Sequence, residues 1–85
     1  MNAFHVWLRP MGDFCRVRVD GMENACWLLA RLSQSFVFKT FEPITQEQGS
    51  SFCSFTVPYN PPLSRSKFEK LLVAIPVVKL MLGPD

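Results

Sequence analysis

The 85-residue sequence predicts an α+β domain in which one antiparallel sheet carries two helices on a single face. Three observations predict it. Segments such as Phe14-Cys-Arg-Val-Arg-Val19 alternate apolar and polar residues with the period of a strand. Two other segments, centred on Leu29 and on Leu72, repeat apolar residues at i, i+3, i+4 and i+7, the period of a helix face. From residue 14 onward the two kinds of segment follow one another in the order β-α-β-β-α-β.

Each element has its own local reason. In residues 4–9 Phe4, Val6 and Leu8 alternate with His5, Trp7 and Arg9, which reads as a short strand, and Pro10-Met-Gly-Asp13 is turn chemistry. Residues 14–19 alternate next. Asp20 with Glu23 has the spacing of a capping box, and Ala25, Leu28, Leu29 and Leu32 behind it form one helical face. Phe36-Val-Phe-Lys-Thr-Phe41 is a strand by β-propensity, and Glu42 to Ser51 is a polar, mobile hairpin loop. Ser51 to Val57 alternates again. Ser66 with Glu69 makes a second candidate capping box, ahead of Phe68, Leu71, Leu72 and Ile75 on one helical face. Pro76 ends that helix by removing a hydrogen bond and clashing with the preceding turn, and residues 77–82 form the last strand.

These elements describe a ferredoxin-like βαββαβ core at residues 13–83, with residues 1–12 as an extra N-terminal strand and turn, all within a single domain. The expected place of the extra strand is an edge or a crossing of one face, because residues 14–19 are central in the commonest βαββαβ sheet. A ββαββα order, in which residues 4–9 form a hairpin with residues 14–19, is the alternative.

Composition narrows the class. Nearly half of the residues are apolar, enough for a core, and the formal net charge of +2 is too small to imply an anionic partner by itself. The three cysteines are an odd number without a CxxC pair, so reduced thiols in a cytoplasmic protein are expected rather than a disulfide framework. The apolar stretch from Leu71 to Val78 is cut by Pro76 and is too short to span a bilayer, so no membrane partner is expected.

Side chains alternate across a strand, so the face turned away from the helices can be read off. It carries Phe14, Arg16, Arg18, Val37, Lys39, Phe41, Phe52, Ser54, Thr56, Val77, Lys79 and Met81. The candidate binding residues are Arg16, Arg18, Lys39, Phe41, Phe52 and Lys79, a set of cations and rings with no carboxylate among them. Long basic side chains can lie over apolar sheet simply to keep it soluble. The same pattern also suits a face that binds an anionic or aromatic partner, or a second copy of the chain.

Catalytic constellations are not expected. His5 stands alone near the terminus as a surface residue, and no Ser-His or Cys-His pair is indicated. Cys15 and Cys53 fall at inward strand positions, where cysteine packs as a small hydrophobe, and Cys26 lies on the first helix. Glycines are scattered rather than gathered into a phosphate loop. Trp7 and Trp27 read as packing residues, with Trp7 the more exposed candidate. No cofactor and no metal is expected.

Three resemblances attach to particular residues. Val19-Asp-Gly-Met22 and Thr56-Val-Pro-Tyr-Asn-Pro61 resemble heavy-metal-associated domains over residues 15–82. That family's two cysteine positions are Asn24 and Trp27 here, so the pair of thiolates that holds a soft ion is missing. Gln48-Gly-Ser-Ser-Phe-Cys-Ser-Phe55 and Val17-Arg-Val-Asp-Gly-Met22 resemble the octamer and hexamer of RNA-recognition motifs, which implies base stacking on the sheet. Ser50 and Arg18 replace two of that family's aromatic positions, which leaves Phe52 as the platform. Ala25-Cys-Trp-Leu-Leu-Ala-Arg-Leu-Ser-Gln34, leading into Phe36-Val-Phe, is similar to ACT-type regulatory modules and to the small domain of methionine-importer ATPases. Those modules bind small ligands or pair sheet to sheet. The expected function is a non-catalytic binding or self-association module, its partner a protein or a second copy. RNA or single-stranded nucleic acid is the alternative partner.

Overall fold

The computed structural model describes residues 2–35, 44–58 and 65–82. They form a mixed α+β domain with a five-stranded sheet and two helices. The strands are β1 (Phe4–Met11), β2 (Phe14–Asp20), β3 (Thr45–Gln46), β4 (Phe52–Pro58) and β5 (Val78–Leu82). The helices are α1 (Met22–Ser35) and α2 (Arg65–Val73). In the sheet the order is β3-β4-β2-β1-β5. The strand expected at residues 36–41 lies outside the described residues.

The N-terminal strand corrects the expected topology. β1 is neither at an edge nor across a face. It pairs antiparallel with β2 from Val6 opposite Val19 to Met11 opposite Phe14, and parallel with β5 from Phe4 opposite Val78 to Leu8 opposite Leu82. The sheet is therefore mixed rather than antiparallel throughout. The β1–β2 pairing is the one that the hairpin alternative requires, although β5 still follows α2. The cause is local. Gly12 and Asp13 alone link the two strands, and of the two only Gly12 has positive φ, at 67°. That is the signature of a type II′ turn, whose twist matches the twist of the strands it joins. Pro10 is tolerated in β1 because, among the described residues, the β5 ladder reaches only Leu8 and no strand pairs with Pro10 on the side away from β2.

One face of this sheet makes the core. Phe4, Val6 and Leu8 of β1, Cys15, Val17 and Val19 of β2, Cys53, Phe55 and Val57 of β4, and Val78 of β5 all bury on the same side. Ala25, Leu28 and Leu32 of α1 and Phe68 and Leu72 of α2, with Ile75 just beyond it, join them in a single cluster, so both helices cover that face. Each fully buried Leu or Phe stabilises the fold by about 1.5–3 kcal/mol. Leu29 and Leu71 pack only at the margin, half-buried.

The helix starts differ from the expected capping boxes. Gly21, with φ 98°, precedes α1, and its carbonyl accepts the first helical bond from the Ala25 amide at 3.0 Å. The Asp20 carboxylate instead accepts a bond from the Ser51 hydroxyl at 2.6 Å. α2 starts at Arg65, so Ser66 lies inside its first turn. Ahead of Pro76, the Ala74 amide still bonds to the Lys70 carbonyl, four residues back, and the next bond, from Ile75 to Leu72, spans three and tightens the end of α2.

Cys15 and Cys53 are buried on adjacent strands, yet the register separates them. Cys15 lies opposite Val57 and Cys53 opposite Val19, four residues up the ladder. That is about 13 Å along a strand, far outside the reach of a disulfide. Burial pushes the Cys53 thiol up from its ordinary pKa, as for a packed thiol. No helix among the described residues is long and apolar enough to cross a membrane.

Candidate functional site on the exposed sheet face

The face opposite the helices is built by registers. Inserting β1 beside β2 places Trp7 opposite Arg18 and Arg9 opposite Arg16. The β2–β4 ladder places Arg16 opposite Thr56, Arg18 opposite Ser54 and Asp20 opposite Phe52. The β1–β5 ladder adds Lys79 opposite His5 and Met81 opposite Trp7. All these positions alternate with the core positions of the same strands, so they share the face turned from the helices.

Trp7, Phe52 and Arg18 form one stacked group. The Trp7 and Phe52 rings meet edge to face, with centroids 5.2 Å apart. The Arg18 guanidinium lies 3.9 Å from the Phe52 centroid and 5.8 Å from that of Trp7. His5 tilts against Trp7 at 5.7 Å. Trp27, by contrast, lies on the helix side, edge to face with buried Phe4.

Glu47 enters this face from outside the sheet. It follows β3 and opens a tight turn closed by a bond from the Ser50 amide to the Glu47 carbonyl. Gly49 occupies the third turn position with φ 77°, as a type II turn requires. The Glu47 amide also donates to the Phe52 carbonyl at 2.8 Å, which fixes the turn beside β4. From there the Glu47 carboxylate accepts two bonds from Arg18, 2.6 Å from Nε and 3.0 Å from Nη2. These bonds hold the Glu47 carboxyl below its usual pKa range. Partial desolvation opposes them, and the charges of Arg18 and Arg16 add to the lowering.

A recess of about 290 Å³ opens beside this pair, lined among the described residues by Arg9, Arg16, Arg18 and Glu47. Arg16 donates to the Ser54 hydroxyl at 3.2 Å. Thr56, opposite Arg16, is 5% exposed, and among the described residues its hydroxyl has no hydrogen-bond partner.

Of the residues singled out from the sequence, Arg16, Arg18 and Phe52 come together here. Lys79 shares the face but stands across β1, next to His5. Lys39 and Phe41 lie outside the described residues. Sequence reasoning missed Trp7 and Arg9, which reach the face only because β1 is interior to the sheet. The two-residue Gly12-Asp13 link between alternating segments was the available signal. It also missed the carboxylate, because Glu47 arrives through a turn whose contact with Arg18 has no local signature. Among the described residues no three His, Cys, Asp or Glu side chains gather as metal ligands would. Comparison of the chain with protein-family models, with curated proteins and with solved structures gives no match.

Proposed function

We propose that this chain is a small non-catalytic binding module whose sheet face turned away from the helices takes a protein partner or a second copy of the chain. The observation that carries it is the gathering of Arg9, Arg16 and Arg18 with Trp7 and Phe52 on the one sheet face that the helices leave uncovered. Arginine and large aromatic rings are the residues that anchor protein interfaces. Met11 and Met81, both exposed, add adaptable apolar surface on the same face. The proposed plan is ferredoxin-like with one strand inserted. In support of it, β4 lies beside β2 and antiparallel to it, and β1 lies between β2 and β5. Buried cysteines held apart on the ladder fit reduced thiols, and with them a cytoplasmic setting.

Single-stranded nucleic acid is the second reading. Trp7 favours it by adding a second ring beside Phe52, next to three arginines suited to phosphates. One experiment separates the two. Solution mass is measured over a concentration series, with and without a short RNA pool, for the parent and for folded Trp7→Ser and Arg16→Ser variants. A protein interface predicts that both variants weaken self-association about tenfold or more, the effect of losing one anchor residue. A nucleic-acid face predicts the same loss in RNA affinity. Variants that match the parent in both respects would remove the sheet face as the binding surface.

A further inference from the structure

We propose that β5 is an open edge at which a second copy of the chain adds its own β5, so that two sheets join into one. This surface is separate from the sheet face described above and leaves that face uncovered.

The ladder inside the sheet shows which backbone groups are left over. The Phe4 amide donates to the Val77 carbonyl at 2.8 Å, and Phe4 lies opposite Val78 and Val6 opposite Leu80 in parallel register. In such a ladder the backbone groups of Val77, Lys79 and Met81 serve β1, and those of Val78, Leu80 and Leu82 point the other way. β5 ends the sheet, and among the described residues no strand lies beyond it. The Val78 amide turns back to the Ile75 carbonyl at 3.1 Å. The outer edge thus presents the Val78 carbonyl, the Leu80 amide and carbonyl, and the Leu82 amide.

That set is complementary to itself. Under a two-fold axis at Leu80, the Leu80 amide of each copy donates to the Leu80 carbonyl of the other. The Leu82 amide of each donates to the Val78 carbonyl of the other, so Val78, whose own amide is engaged, need only accept. Side chains fit the same axis. Lys79 is the only charge on β5, and a lysine is a common guard of an open edge. Here it falls opposite Met81 of the second copy, so that an aliphatic stem meets a thioether and no charge meets its like. Sliding the copies by two residues one way sets Lys79 opposite Lys79, and the other way leaves the Val78 carbonyl unpaired. On the helix side, Leu80 is only half-buried at the margin of the core, and Leu80 of the second copy completes its cover. The seam is a single strand of 5 residues, so the pair belongs to the weak, concentration-dependent class of interfaces.

The test uses the whole chain, with itself as the probe. Amide hydrogen exchange is followed by NMR from dilute to concentrated protein. The Leu80 and Leu82 amides should exchange freely when dilute and slow as the dimer fills, whereas β1 keeps the Lys79 and Met81 amides protected throughout. Sedimentation over the same series compares the parent with Met81→Lys, with Met81→Lys joined to Lys79→Glu, and with Glu23→Gln, which makes the same charge change on α1 as Met81→Lys makes on β5. Positions 79 and 81 are exposed, so the fold of the single chain is kept. Met81→Lys should weaken the dimer about three- to tenfold, since symmetry creates the like-charge pair twice. Adding Lys79→Glu turns both pairs into attractions and should restore the parental strength, and Glu23→Gln should leave it unchanged. Leu80 and Leu82 amides already protected in dilute protein would overturn the inference, because the edge would then be covered within one chain. A chain that stays monomeric up to about 1 mM would overturn it too, as would a double variant no stronger than Met81→Lys. If Trp7→Ser and Arg16→Ser abolish association and the β5 amides never slow, the sheet face stands and this inference alone falls. If the amides slow and those two variants associate as the parent does, the edge carries the self-association and the sheet face does not.

Discussion

At the level of single residues, the pair between Arg18 and Glu47 links the fold to acidity. Because Glu47 is held ionised more firmly in the folded chain than in the unfolded one, its contribution has a definite sign. It is present in full above the unfolded carboxylate pKa, about 4.3, and is lost as the pH falls through the lower folded value. For a partly exposed pair that contribution is about 0.5–1 kcal/mol at most. Urea unfolding of the parent and of Glu47→Gln should therefore differ by this amount at neutral pH and converge in acid. A difference that grows toward low pH would mean that Arg18 does not hold the carboxylate in solution.

At the scale of elements, α1 shows how finely a helical stripe must be read. Leu28 and Leu29 both lie on the apolar side, but only Leu28 is fully buried, and Leu29 packs at the edge of the cluster. A turn of 100° per residue separates them, and the sheet receives only the centre of the stripe. Leu28→Ala should cost about 2–5 kcal/mol, as should Leu72→Ala in α2. Leu29→Ala should cost about 1 kcal/mol, nearer the typical value for a single substitution. Denaturant midpoints for the three variants check this. The reverse ranking of Leu28 and Leu29 would place α1 about a quarter-turn away from its position here.

For the molecule as a whole, the inner position of β1 decides both stability and site. β1 pairs with strands on both sides, contributes Phe4, Val6 and Leu8 to the core, and presents Trp7 and Arg9 on the opposite face. A chain shortened to begin at residue 14 should therefore lose cooperative unfolding, measured by far-ultraviolet circular dichroism against temperature. An edge strand would be dispensable. A shortened chain that melts cooperatively near the parent midpoint would show that β5 can close directly onto β2 in the ferredoxin-like order.

Local physics in the sequence by itself determined most of the elements. Period-two alternation set the strands at Phe14, Phe52 and Val78, helical spacing set α1 and α2, Pro76 marked the break between α2, which ends at Val73, and β5, and the inward positions of Cys15 and Cys53 followed from the same alternation. These features depend on neighbours within a few residues, which is the range a sequence records directly. Only the tertiary structure decided that β1 lies between β2 and β5, because two registers competed for the free edge of β2 and the type II′ turn at Gly12 favoured the nearer one. That choice brought Trp7 and Arg9 to the face with Arg16, Arg18 and Phe52. It also fell to the tertiary structure to bring Glu47 to Arg18 across 29 residues, through a turn on the far side of β4. Such a contact depends on the summed geometry of the strands between them, and no local spacing encodes it.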